Sequence, residues 1–427
     1  MEPMNGSIDP GALRRAWAQL CSSGTATKTA AHVLRVGIQP YLDAFSERYL
    51  GPDGIGQGFK LVLGMNGEGK THFLLALREA ALRLGHVVSF VEPRSSGAVD
   101  SEFDFARELL RRMESPGAVD ADDDELRVIQ LVRAGVEKKR ATAVQKGLDP
   151  DRILPAWADG VRGKDLHPHG LASALADALE RAIADDVEGL REAAAKVTFE
   201  DVTLSKAQAR TQGAALLRSL PLVVKHLDFL PLVILVDEAE TAVQKKGSAR
   251  KKEFLQFLRF LNDHVANAPG DRGGALVVIG CTDDFWPEQF AEYEALRQRL
   301  DDPDANSFEQ RASLSTKGRV RKNKLWVKET FSGEEADYDA LGDALVDVAA
   351  RVYPEVDRPV QTSNARRLGR FASSNRVRKQ VKRNFVKALA GTIERQVADE
   401  KQAVITEEEA ARAFEAAARE IAEKDAE

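Results

Sequence analysis

Residues 59–71 read FKLVLGMNGEGKT. The first six, Phe59–Gly64, form a short apolar run of the kind that becomes a buried strand. The last eight, Gly64, Met65, Asn66, Gly67, Glu68, Gly69, Lys70 and Thr71, fit the pattern G-x-x-x-x-G-K-[ST] at every fixed position. Glycines at this spacing let the backbone curl, so that successive N–H groups point into one cavity and bind phosphate oxygens. The amphipathic stretch Lys70–Leu84 follows, and its helix dipole adds to the anion site. In this reading Lys70 reaches the β and γ phosphates of ATP, the Thr71 hydroxyl ligates Mg²⁺, and His72 starts the helix beside the nucleotide.

The pattern alone would also suit a kinase or a GTPase. A second stretch narrows it. Residues 232–240 read LVILVDEAE, an apolar strand delivering Asp237 and Glu238 at its C-terminal edge. In open α/β sheets ligands bind at that edge. Asp237 is expected to hold the Mg²⁺ shell, and Glu238 to orient and deprotonate the attacking water. The adjacent pair favours ATP hydrolysis with a mechanical or switching output. A switch that hydrolyses very slowly would keep both residues too.

A third strand, Ala275–Gly280, runs into Cys281, Thr282 and Asp283. Some P-loop ATPases insert a strand between the phosphate-loop strand and the acidic strand, and carry a polar γ-phosphate sensor there. Thr282 is the first candidate for that role and Asp283 the second. Arginine fingers must come from the end of the next helix or just past it. Arg297, Arg299 and Arg311 are available, and Arg299 is the preferred one. A finger supplied in trans would imply a homo-oligomer built around ATP.

Outward from these stretches, strands and helices alternate: Val87–Val91 as a strand and Phe103–Met113 as a helix. This rhythm predicts parallel βαβ units. Between about 115 and 225 the strand signal disappears and helical patterns such as Leu171–Ile183 take over, so this is expected to be a helical insertion. Upstream, Asp9 caps a helix starting at Pro10, and a second helix is expected over about 27–45. Beyond Gly333 helices are expected at roughly 335–352, 363–397 and 406–424, the last opened by the Thr406/Glu409 capping box. The expected organisation is N-terminal helices over 1–50, an ATPase core over 51–330, and a C-terminal helical lid over 331–427.

Composition agrees with a folded, multi-part chain of 427 residues. Apolar residues make up 43% of it, enough for a sizeable core, and charged residues 30%. Only two cysteines, Cys21 and Cys281, are present, which rules out a disulfide framework or a cysteine-based zinc site. The longest apolar run, 229–236, is far short of a membrane span. The N-terminus offers neither basic nor apolar leader, and a reducing, cytoplasmic setting is expected. His167 and His169 lack companion ligands and read as loop residues.

The net charge is −6, yet it is unevenly spread. Between Arg358 and Ile393 lie Arg358, Arg366, Arg367, Arg370, Arg376, Arg378, Lys379, Lys382, Arg383 and Lys387, with no acidic residue among them. A shorter basic run spans 317–328. Such a face is expected either to track a DNA or RNA backbone or simply to be solvated. Arg366 and Arg367 are also candidates to reach the nucleotide from the lid as a second sensor.

The run NGEGKTHFLLALREAALRLGHVVSFVE (66–92) resembles the phosphate-loop region of ATP-binding proteins of BREX-type bacterial phage-defence systems. LVILVDEAETAV, GALVVIGCTDDFW and YEALRQRL are similar to the same group. The resemblance covers about 30–115 and 228–330; the insertion and the C-terminal helices match only in general character. It implies an AAA+-like or STAND-like ATPase with a helical lid, working beside other proteins of a defence system. Lys70, Thr71, Asp237 and Glu238 keep the roles given above. The sensor and arginine positions do not carry over, and the trigger is not implied.

Overall fold

The computed structural model describes residues 9–25, 29, 31, 34–93, 101–117, 124–200, 202–242, 248–268, 273–282, 324–327, 330–375 and 380–426. In chain order its main elements are α1 (Pro10–Ser23), α2 (Gln39–Phe45), β1 (Gly58–Leu63), α3 (Lys70–Arg83), β2 (His86–Val91), α4 (Glu102–Arg111) and β3 (Met113–Glu114). There follow α5 (Asp124–Gln145), α6 (Pro150–Arg162), α7 (Leu171–Ile183), α8 (Val187–Val197), α9 (Lys206–His226), β4 (Leu230–Val236), α10 (Ser248–Leu261) and β5 (Leu276–Cys281). The chain then runs through β6 (Lys324–Trp326), α11 (Glu335–Val352), α12 (Arg358–Ser374), α13 (Val381–Ala398) and α14 (Glu407–Ala426).

The strands form one sheet in the order β3-β2-β4-β5-β1-β6. β2 and β4 pair in parallel, with Val88 opposite Val233 and Val91 opposite Val236. β4 and β5 pair in parallel, from Val233 opposite Leu276 to Val236 opposite Ile279. The two-residue β3 is antiparallel to β2, where the sequence suggested a longer α4. The order puts β5 between β4 and β1, and the Gly58 amide donates to Ala275 O at 3.1 Å. The inserted strand expected from the sequence is therefore present. From Leu232 to Val236 every β4 side chain is buried, as are all of those in β5. Strands covered on both faces read as continuous apolar runs, which is why both were visible in the sequence.

By packing the chain falls into two units: one of Met1–Asp43, Val62–Glu79 and Leu325–Glu427, the other of Ala44–Leu61 and Ala80–Lys324. The second holds most of the strands and the helices α5–α9 of the insertion. Asp149, Asp186 and Ser205 cap α6, α8 and α9, and α9 carries a full capping box through Gln208.

The first unit gathers the two ends of the chain around one apolar core. Leu13, Trp17 and Leu20 of α1 share it with Leu345, Leu368, Phe385, Leu389 and Phe414. Tyr338 meets Phe331 and Phe385 edge-to-face, with centroids 5.1 and 5.0 Å apart. Asp9 caps α1 through the amides of Gly11 and Ala12. At its other end, Thr406 and Glu409 bond reciprocally to start α14.

Two expected helices differ in extent. The helix expected over 27–45 is interrupted, because residues 34–35 are irregular, residues 36–38 form a turn and Gly37 has φ +75°. The one expected over 363–397 is two helices. Asp357 accepts from the Val360 amide and Pro359 stands in the first turn, so α12 starts earlier. It ends where Ser373 and Ser374 hydroxyls return to Arg370 O and the Asn375 amide to Phe371 O. Such local bonds compete with the helical ladder.

Candidate phosphate-binding site

β1 runs directly into the turn 64–69, and α3 begins at Lys70. The strand, loop and helix therefore follow one another as the motif requires. Gly67 and Gly69 have φ +82° and +108°, a region that side-chain-bearing residues rarely enter. The Phe73 amide donates to Gly69 O at 2.9 Å, so the helical ladder starts from the loop itself. Glu68 braces the loop from inside: its carboxylate accepts from the Met65 amide at 2.7 Å. The Lys70 side chain is buried, and its ammonium donates to Gly64 O at 2.8 Å and Met65 O at 3.2 Å. A buried cation held by loop carbonyls sits where it can meet the oxygens of an incoming phosphate. Thr71 is exposed at the first turn, and Met65 and Asn66 are exposed on the loop.

His72 is partly buried beside this turn. Burial first, and then the Lys382 and Arg35 charges, push its imidazole down to about 3, against a hydrogen bond to the Leu34 backbone. It is neutral at physiological pH and adds no positive charge to the loop.

In the other unit, β4 ends at Val236 and delivers the two carboxylates. The Asp237 amide donates to Val91 O at 2.9 Å, one step past the last paired residue of the β2 ladder, and Asp237 is buried. Its carboxylate accepts from the Glu238 amide at 3.0 Å. Glu238 is a non-glycine residue with φ +50°, and its carbonyl accepts from the Thr241 amide and hydroxyl at 3.0 and 2.8 Å. A backbone held in this sparsely populated region is the kind of strain that clusters at functional sites. Glu92, at the end of the neighbouring strand, was not singled out from the sequence. Desolvation and then the Asp237 and Glu238 charges hold its carboxyl above the ordinary range, with Arg112 acting the other way. Only the pairing of β2 with β4 brings it there, so no linear pattern could have pointed to it.

Thr282 follows β5 directly and is partly buried. Asp283, Arg297, Arg299 and Arg311 lie outside the described residues, as do Arg376, Arg378 and Lys379. Arg366 pairs with Asp343 at 2.8 Å and Asp339 at 3.3 Å. Arg367 donates to Ile405 O at 2.7 Å. Both are used inside the C-terminal helices. The same holds for Arg358 with Asp347, Arg370 with Glu407 and Lys387 with Glu420, while Arg383 donates to Ser23 O at the end of α1. Four of the ten basic residues that stand apart in the sequence, Arg358, Arg366, Arg370 and Lys387, thus meet carboxylates in the fold. His167 lies beside Asp165 in a loop, as expected. Among the described residues no helix is long and apolar enough to cross a membrane.

A parallel sheet with a strand between the phosphate-loop strand and the acidic strand, and a glycine loop opening a helix, define a P-loop NTPase fold with a helical insertion and C-terminal helices. Residues 201–407, a little under half of the chain, match the family model of the BREX system ATP-binding protein BrxC/D. The family resemblance read from the sequence is borne out, over a span that takes in the acidic strand and α11–α13; the phosphate loop and α14 beyond Glu407 lie outside it. No curated protein matches the chain. Among solved structures, the Aeropyrum pernix ORC2 protein, determined as ADPNP–ADP complexes, is similar at 10% identity and a TM-score of 0.42. That match covers 88% of this chain and 66% of the ORC2 chain.

Proposed function

We propose that the chain binds and hydrolyses Mg-ATP and acts as a motor or switch in a bacterial anti-phage defence system. The observation that carries this reading is the loop 64–71. Its two left-handed glycines, its internal Glu68 brace and the buried Lys70 ammonium make an anion cradle at the start of a helix. Lys70 takes the β and γ phosphates. Thr71 and Asp237 take the roles of Mg²⁺ ligands. Glu238 activates the water that attacks the γ-phosphate, and Thr282 and Arg299 are the sensor and finger candidates. The family match supports the defence setting, with other proteins of that system as partners; the cytoplasm as the place of action rests on the sequence reading.

Contact with DNA belongs to the same reading, but the ion pairs of Arg358, Arg366, Arg370 and Lys387, and the carbonyl bonds of Arg367 and Arg383, leave the 358–393 region a weaker track than its sequence suggests. The second reading is a scaffold that ATP stabilises and that recruits partners with negligible turnover. The strained position of Glu238 favours the hydrolytic one.

Glu238→Gln separates them. ATP binding by calorimetry and phosphate release are measured on the purified wild type and variant, with and without double-stranded DNA. Hydrolysis is expected to fall by roughly 100-fold or more, as losing a positioned general base does, while ATP affinity stays within about twofold. Equal turnover in the two proteins would overturn the role of Glu238. Tight binding with no turnover in the wild type would favour the scaffold.

A further inference from the structure

The region 358–393 holds one described cation whose surroundings differ from those of its neighbours. Arg383 and Lys387, on the same helix, are spent on backbone carbonyls and on Glu420. Lys382 has neither hydrogen bond nor ion pair among the described residues. Its ammonium lies 4.2 Å from the centre of the Phe331 ring. The carboxylates that act on it, Asp337 and Glu68, do so from beyond pairing distance.

Its position follows from the entry into α13. Gln380 has φ +59°, and this left-handed residue turns the chain onto the phosphate loop. A side-chain carbon placed on Gly67 would come within 3.0 Å of Gln380 Cβ. One placed on Gly69 would stand 3.4 Å from Lys382 Nζ. The amine is therefore beside Gly69, while Gln380 covers Gly67. Partial burial holds its basicity down, to about 8. Among the described residues only the Phe331 ring and two more distant carboxylates offset its desolvation, and a desolvated cation gains when an anion arrives.

We propose that Lys382 binds the phosphate chain of the nucleotide held by Gly64–Thr71, as a second cation in addition to Lys70. This rests on the reading of that loop as a nucleotide site. It assigns to Lys382 the contact that the sequence suggested for Arg366 or Arg367. It also makes the turn Gln380–Lys382 the element through which the C-terminal helices respond to bound phosphate.

The test compares wild type, Lys382→Met and Lys382→Arg by calorimetric titration with ATP and with inorganic tripolyphosphate. Methionine keeps the apolar stem against Phe331 and removes only the charge. Thermal midpoints are recorded alongside to show that each variant is folded. A charged hydrogen bond of about 1.5–3 kcal/mol corresponds to roughly 10- to 150-fold in affinity. Lys382→Met is expected to lose that factor for both probes, and Lys382→Arg to recover most of it. A role confined to packing would leave tripolyphosphate affinity unchanged. Wild-type affinity retained by Lys382→Met would overturn the assignment while leaving the nucleotide site intact. Absence of ATP binding by the wild type would instead remove the nucleotide site, and this contact with it.

Discussion

His72 shows how one residue can carry a pH signature. Its imidazole titrates near 3 in the fold, through burial and the neighbouring Lys382 charge, against about 6.5 in an unfolded chain. The unfolded state therefore binds a proton below about pH 6.5 that the folded state refuses. Stability is full above that pH and is lost as pH falls from about 6.5 toward 3. One pH unit below the unfolded value the loss is on the order of 1 kcal/mol, or roughly 2–4 °C in melting midpoint for a unit of this size. His72→Asn removes the titration. Scanning fluorimetry at pH 7.5 and 5.5 is expected to show a smaller drop for the variant than for the wild type. Equal drops would mean that the acid sensitivity lies in other groups. The same neutral His72 leaves positive charge at the loop to Lys70 and Lys382.

Among elements, the docking of α1 onto α13 is the most explicit. Glu394 of α13 accepts from Trp17 Nε1 at 2.8 Å and from the Tyr353 hydroxyl at 2.9 and 2.8 Å. One carboxylate thus joins the first helix, the segment after α11 and α13. Arg383 and Lys387 add bonds to Ser23 O and Ser22 O at the end of α1. Glu394→Ala leaves the indole N–H and the phenol without their acceptor. Each partly buried group left unpaired costs about 1–3 kcal/mol, so the urea midpoint is expected to fall clearly and Trp17 emission to shift to the red. An unchanged midpoint would show that water replaces the carboxylate at no cost.

These docking elements were legible individually but not as neighbours. The Asp9 cap, Pro10, the 335–352 periodicity and the Thr406 box are local patterns, and each appears as read. The ligand-edge strands were legible for a different reason: buried on both faces, β4 and β5 are unbroken apolar runs. The end of α12 at Ser374 was missed because it depends on serine and asparagine side chains bonding back to the ladder. The pairing of Arg366 and Arg367, and the open position of Lys382, depend on which helix faces lie together. Composition cannot give that, because the same ten basic residues look alike in a sequence.

For the molecule as a whole, the order of the chain and the order of packing differ. The sequence divides naturally into N-terminal helices, core and lid. The contacts instead join residues 1–43, the loop-bearing segment 62–79 and residues 325–427 into one unit. Its core is closed by α1, which buries Leu13, Ala16, Trp17 and Leu20. Full burial of large apolar side chains contributes roughly 1.5–3 kcal/mol each, so α1 supplies several kcal/mol to a unit that also holds Gly64–Thr71. Removing residues 1–24 uncovers the matching surface of α13 and takes away the Ser23 and Ser22 carbonyls that Arg383 and Lys387 bond. The truncated protein is expected to melt several degrees lower, to bind a hydrophobic dye, and to gain less thermal stabilisation from ATP than the full chain. Leu175→Ala is the comparison. It opens a cavity in α7 of the other unit, at a fully buried position, and costs about 2–5 kcal/mol. If the phosphate loop draws its order from the unit that α1 closes, this variant keeps the ATP-induced shift that the truncation diminishes. An ATP-induced shift that survives removal of residues 1–24 would show that the loop needs only its own strand and helix to hold its form.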